Sequence, residues 1–156
     1  MIAFLLHLLN FCLLFFQTQG RFHMRFLLIE DQKDVRNLMQ AFLAEYGSCD
    51  MAEDGIQGLS AVLKSIEEET PYDAIFLDIM MPKLEGQQVL QKIRELEEAK
   101  NIVPPHTVTV IMASALGDSE NVMEAFKSQA DAYLVKPVMR DKLISTMKKA
   151  GLTLPS

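Results

Sequence analysis

Residues 72–82 read Tyr72–Asp73–Ala74–Ile75–Phe76–Leu77–Asp78–Ile79–Met80–Met81–Pro82. The apolar run inside this stretch is shorter than a typical helix and is bounded by Pro71 and Pro82. Continuous apolarity without polar alternation fits a central parallel strand covered on both faces. Asp78 ends the run. An unpaired carboxylate is expensive to bury, so Asp78 is expected to emerge at the strand's C-terminal edge. In open α/β sheets that edge is where ligands bind. The function of the chain therefore turns on whether other polar side chains converge on Asp78.

Working outward, Arg25–Ile29 is a second short apolar run, and it too ends in acids, Glu30 and Asp31. Val108–Ala113 is β-branched at its start and ends at Ser114. Ala132–Val135 ends at Lys136–Pro137, and Cys49–Ala52 is a weaker strand. Between these runs the spacing turns helical. Val35, Leu38, Met39, Phe42, Leu43 and Tyr46 share one face, with Asp31 or Asp34 as a cap and Gly47 as the stop. Asp54–Gly55 turns into a helix carrying Ile56, Leu59, Val62, Leu63 and Ile66, and Glu67–Glu69 is its solvated end. Lys83–Gly86 is a loop. Val89, Leu90, Ile93 and Leu96 mark a helix that dissolves at Glu97–Lys100, and Pro104–Pro105 closes that connection. Asn121–Ala130 is a helix with Val122, Ala125 and Phe126 on one face. Arg140–Ala150 turns Leu143, Ile144 and Met147 inward and stops at Gly151. Strand and helix alternate five times, the pattern of a doubly wound α/β parallel sheet with helices on both faces.

Composition narrows the function. The 156 residues favour a single domain with one ordinary core. A net charge of −6 argues against nucleic acid as a direct partner. Cys12 and Cys49 form no disulfide framework, and the expected setting is reducing and cytoplasmic. Neither a Gly-x-Gly-x-x-Gly turn nor a Gly-x-x-x-x-Gly-Lys-Ser/Thr loop is present, so dinucleotide and P-loop chemistry are excluded. Residues 1–23 stand apart. Ile2–Phe16 is apolar apart from His7 and Asn10, shorter than a comfortable membrane span, and no positive charge precedes Arg21. Three readings stay open for it: an over-extended reading frame with the true start at Met24, a membrane-associating helix, or a signal peptide. Membrane contact is expected only if the segment is real and retained.

Four of the five strands end in polar residues: Glu30–Asp31, Asp78, Ser114 and Lys136. In a parallel sheet these ends share one edge. Carboxylates crowded there repel and require a cation. Oxygen ligands without His or Cys point to Mg²⁺, which favours phosphate chemistry. A lysine and a hydroxyl beside a metal-bound carboxylate meet the electrostatic requirement of phosphoryl transfer.

The ordered set Glu30–Asp31, Asp78 with Met81–Pro82 and Gly86, Ser114–Ala115 and Lys136–Pro137 resembles the receiver domain of bacterial two-component response regulators, from about Met24 to Ala150. The resemblance implies a flavodoxin-like sheet in the order 2-1-3-4-5. It implies that Asp78 is the phosphoacceptor, taking a phosphoryl group from a histidine kinase or a histidine phosphotransfer protein. Asp31 and Asp78 would bind Mg²⁺ directly, Glu30 through a metal-bound water, and Met80 through its backbone carbonyl. Ser114 and Lys136 would contact phosphoryl oxygens, while Ser114 and Tyr133 would form the switch toward a downstream protein. With nothing after Ser156 to form an output unit, a stand-alone, chemotaxis-type form is expected, with residues 24–156 as the receiver.

Departures from the family pattern are small. Glu85 stands where Asp is frequent, Ser114 where Thr is also common, and the apolar Met80 is expected to restrict water and slow phosphoryl hydrolysis. Two other classes compete. An aspartate-nucleophile phosphatase would carry a second acid where Met80 stands, and a phosphorylation-independent docking domain would have no use for an intact acidic pocket.

Overall fold

A computed structural model describes residues 23–115 and 129–155. Its five strands are β1 (Met24–Ile29), β2 (Gly47–Ala52), β3 (Ala74–Asp78), β4 (Thr109–Ser114) and β5 (Ala132–Val135). Among the described residues the helices are α1 (Lys33–Leu43), α2 (Gly55–Glu67), α3 (Gly86–Ala99) and α4 (Arg140–Lys149). The strands form one parallel sheet in the order β2-β1-β3-β4-β5, as expected. The readings of residues 1–22, and of most of the helix expected at Asn121–Ala130, lie outside the described residues. No helix among the described residues is long and apolar enough to cross a membrane.

Alternation along the strands divides the core into two layers. Leu27, Ile29, Ile75, Leu77, Val110 and Met112 face α2 and α3, where Val62, Val89, Leu90 and Ile93 cover them. Phe26, Leu28, Ala74, Phe76 and Ile111 face α1 and α4 and meet Met39, Leu43, Leu143 and Met147. Phe26 and Phe76 pack edge to face with ring centres 6.0 Å apart. All five residues of β3 are buried, as a strand covered on both sides must be.

Several local expectations are corrected. Helix α1 is N-capped by Gln32 without a side-chain bond, not by Asp31 or Asp34. Gly47 is the first residue of β2, not a helix stop: a Cβ there would sit 1.9 Å from the Met24 carbonyl oxygen. Leu38, Ile56 and Leu63 are exposed. The buried residues of α2 are instead Gly55, Gly58, Val62 and Ser65, and Gly58 packs directly on Ile29, whose Cδ1 lies 2.4 Å from where a Cβ would be. Helix α3 does not dissolve at Glu97. That side chain is buried, accepting from Val108 N at 2.6 Å and pairing with Arg94 at 2.8 Å, which fastens the end of α3 to the start of β4. Gly151, with φ +89°, ends α4 as expected.

Candidate functional site

The register of the sheet brings the polar strand ends together. Glu30 directly follows β1, whose Ile29 pairs with Leu77, one residue before Asp78. Asp78 in turn pairs with Ala113, and Ser114 with Val135, so Lys136 continues the same edge. Backbone bonds carry the ladder slightly past the strands: Glu30 N donates to Ala52 O at 3.2 Å and Lys136 N to Ser114 O at 2.7 Å.

One carboxylate oxygen each from Glu30, Asp31 and Asp78 lies within 4.8 Å of the others. Lys136 Nζ sits between two of these acids, 2.8 Å from Glu30 Oε2 and 3.1 Å from Asp78 Oδ1. Met80 N donates to Asp78 Oδ1 at 3.3 Å, which places the Met80 backbone beside the carboxylate, and the residue is 64% exposed. Ser114 is buried at the end of β4. Tyr133, paired with Met112 across the sheet, has a buried hydroxyl with no hydrogen-bond partner among the described residues.

Asp78 does not emerge as its sequence position suggested; it is 4% exposed. The lysine makes that burial tolerable by supplying the opposite charge at hydrogen-bond distance. Compensation is incomplete. Burial first, and the Glu30 charge second, raise the Asp78 carboxyl from 3.8 to about 6, against the opposing pull of Lys136 and the Met80 N–H. Lys136 is held above its ordinary value: burial would lower it, and its bonds to Glu30 and Asp78 more than offset that.

Three acids against one lysine leave an excess of negative charge, and Asp31 Oδ1 is buried without a hydrogen-bond partner among the described residues. An orphaned buried carboxylate oxygen beside two more acids fits a hard divalent cation with oxygen ligands. The set therefore fits Mg²⁺ on the residues present.

The loop after Asp78 is fixed from two sides. Gly86 N donates to Ile79 O at 2.9 Å, and a Cβ on Gly86 would lie 2.1 Å from Asp78 O. Lys83, at φ +69°, reaches Asp54 Oδ2 at 2.8 Å, and Asp54 also caps α2 through Gln57 N at 2.9 Å. The sequence reading missed this tie, because the partners are 29 residues apart and each looks like a solvated turn residue. It also missed Arg36, a buried cation beneath Glu30 and Asp31.

The chain matches the family model for the response regulator receiver domain over residues 26–148. The transcriptional regulatory protein DltR of Streptococcus agalactiae is 33% identical over 126 residues, which is 80% of this chain and 50% of that protein. The chemotaxis protein CheY of Halobacterium salinarum is 27% identical over 122 residues, covering 78% of this chain and 91% of that protein. The receiver domain of the Francisella response regulator 1452 superposes with a TM-score of 0.63 at 30% identity, covering 83% of this chain and 98% of that one. The chain spans about half the length of the transcriptional regulators it matches. By match, fold and strand-edge chemistry together, the chain belongs to the response regulator receiver domain family, whose members are phosphorylated on aspartate in two-component signalling.

Proposed function

We propose that Asp78 is the phosphoacceptor of this receiver and that the pocket around it binds Mg²⁺. The observation that carries this is the cluster itself: three carboxylates within 4.8 Å, with Lys136 bonded to two of them at 2.8 and 3.1 Å. In the proposed reaction an Asp78 carboxylate oxygen attacks the phosphorus of a phosphohistidine on a histidine kinase or phosphotransfer protein. The bond from phosphorus to the donor imidazole breaks, and the imidazole leaves with the electron pair and takes up a proton from solvent, giving an acyl phosphate on Asp78 and a neutral histidine on the donor. Mg²⁺, held by Asp31 and Asp78 with the Met80 carbonyl and with Glu30 in the outer sphere, would supply the positive charge that the transferring phosphoryl oxygens need.

Lys136 is already inside the pocket and would exchange a carboxylate partner for a phosphoryl oxygen, so its charge need not be brought in during the reaction. Ser114, buried one residue past the pairing partner of Asp78, would donate its hydroxyl to another phosphoryl oxygen. Its movement toward the phosphoryl group would open space for Tyr133, whose buried hydroxyl has no hydrogen-bond partner among the described residues. The exposed thioether of Met80 would shield the acyl phosphate from water and lengthen its life.

The receiver unit is proposed to begin at Met24 and to include residues 152–155, since Leu152 and Leu154 pack against the α1–α4 layer. Action by docking to a downstream protein is supported by the likeness to the Halobacterium chemotaxis protein, 91% of which the match spans.

Intact-mass measurement of the chain with Mg²⁺ and acetyl phosphate tests the reading. One added phosphoryl group, abolished by EDTA and by Asp78→Asn, is expected. An adduct that survives Asp78→Asn would place the acceptor elsewhere, and no adduct with acetyl phosphate or with any of a panel of kinases would leave a phosphorylation-independent docking domain.

A further inference from the structure

Arg36 is a charged side chain to which the reaction above gives no part. It shares the core-facing side of α1 with Met39 and Leu43 and is 5% exposed. A buried guanidinium is strongly destabilising unless its donors are used. Here Nη1 donates to the main-chain carbonyl of Glu30 at 2.6 Å and, more weakly, to that of Asp31 at 3.4 Å, while Nη2 pairs with Glu53 Oε1 at 3.1 Å. The two carbonyls belong to residues that supply two of the three carboxylates in the acidic pocket. The same turn is braced by Gln32 N on Glu30 Oε1 at 3.1 Å and by Arg36 N on Gln32 O at 3.0 Å.

We propose that Arg36 is a positioning residue for the Mg²⁺ site: it fixes the Glu30–Asp31 turn from below so that both carboxylates meet Asp78. The inference rests on the reading of the acidic pocket as a Mg²⁺ site. A planar guanidinium spans two carbonyls and a carboxylate at once, which the single ammonium of lysine does not do in fixed geometry. Loss of partners that orient metal ligands typically weakens binding by about 10- to 100-fold.

Position and charge make opposite predictions. If Arg36 mattered only as a positive charge near the acids, removing it would tighten Mg²⁺ binding. If it positions the ligands, removing it loosens binding. The geometry favours position, because the donors of Arg36 meet carbonyls and its charge is already paired with Glu53.

The test is a Mg²⁺ titration of the full chain without any phosphoryl donor, followed by backbone amide NMR shifts, for the wild type, Arg36→Met, Arg36→Lys and Asp31→Asn. Arg36→Met is expected to raise the Mg²⁺ Kd by about tenfold or more, and Arg36→Lys, which keeps the charge, by at least about threefold. Should Arg36→Met fail to fold, Arg36→Lys decides alone, since a pure charge effect leaves it at the wild-type Kd. A folded variant that binds Mg²⁺ as tightly as wild type, or more tightly, overturns the proposal. Failure of the wild type to bind Mg²⁺, or indifference to Asp31→Asn, would instead refute the site on which the proposal rests.

Discussion

Replacing Asp78 by Asn is expected to stabilise the protein near neutral pH while destroying its chemistry. The native carboxyl titrates at about 6 rather than 3.8, raised by burial and by Glu30. Below about pH 4 the carboxyl is protonated in both folded and unfolded chains, so aspartate and asparagine are close to equivalent there. Between about pH 4 and 6 the folded chain holds the proton that the unfolded chain releases, so wild-type stability falls as pH rises. Above that window the full penalty for an ionised Asp78 is present. A gap of about two pH units at about 1.4 kcal/mol each sets a ceiling of about 3 kcal/mol, and solvent screening at the open side of the pocket reduces it to about 1–2 kcal/mol. Lys136 keeps its 2.8 Å bond to Glu30 in the variant, and the asparagine oxygen still accepts from Met80 N. Urea unfolding in EDTA at about pH 8 and about pH 4 measures the difference. With a urea slope of about 2 kcal/mol/M, the midpoint of Asp78→Asn should lie about 0.5–1 M above wild type at the higher pH and coincide with it at the lower. A variant that is less stable at about pH 8, or a gap that does not change with pH, would refute the electrostatic account of the pocket.

Three further outcomes follow from the packing. Gly86→Ala places a Cβ 2.1 Å from the Asp78 carbonyl oxygen and 2.9 Å from Ile79 Cα, both main-chain atoms, so a loss of about 3 kcal/mol or insoluble expression is expected. A variant as stable as wild type by urea midpoint would show that the loop is not seated as described. Tyr133→Phe removes a buried hydroxyl that has no partner among the described residues, so the unphosphorylated protein should be unchanged or more stable by up to about 1 kcal/mol. A clear loss of thermal stability would mean that the hydroxyl is bonded. Glu97→Gln keeps an acceptor for Val108 N but removes the charge facing Arg94, and should lower stability by about 1–3 kcal/mol; an unmoved urea midpoint would contradict the pairing.

The strands were legible because each apolar run is short and four of the five end in polar residues, which a parallel sheet sends to one edge; their order came from the resemblance to receiver domains, and the sheet bears it out. Asp78, Glu30 and Lys136 were found by that logic, and the structure places them within bonding distance. The depth of Asp78 was not legible: strand-end position predicts access to the edge, whereas burial depends on Lys136 folding back onto two carboxylates at once. Arg36 and Glu97 were missed for the same physical reason. Pattern reading assigns charges to water, and both residues sit at core-facing helix positions where only a tertiary partner makes a charge tolerable: the Glu30 and Asp31 carbonyls for one, Arg94 and Val108 N for the other. Gly47 was misjudged as a helix stop and Gly58 drew no notice, since a glycine selected for close approach to Met24 or Ile29 looks no different in sequence from one selected for a turn. These misses share a direction. Spacing along one element predicts its exposed and apolar faces, but not where a second element will supply a charge or demand the absence of a side chain. In this chain such places lie on both sides of the acidic pocket, with Arg36 under the Glu30–Asp31 turn and Gly86 against the main chain of Asp78. The acids themselves can be read from sequence, while the parts that hold them in position become visible only in the fold.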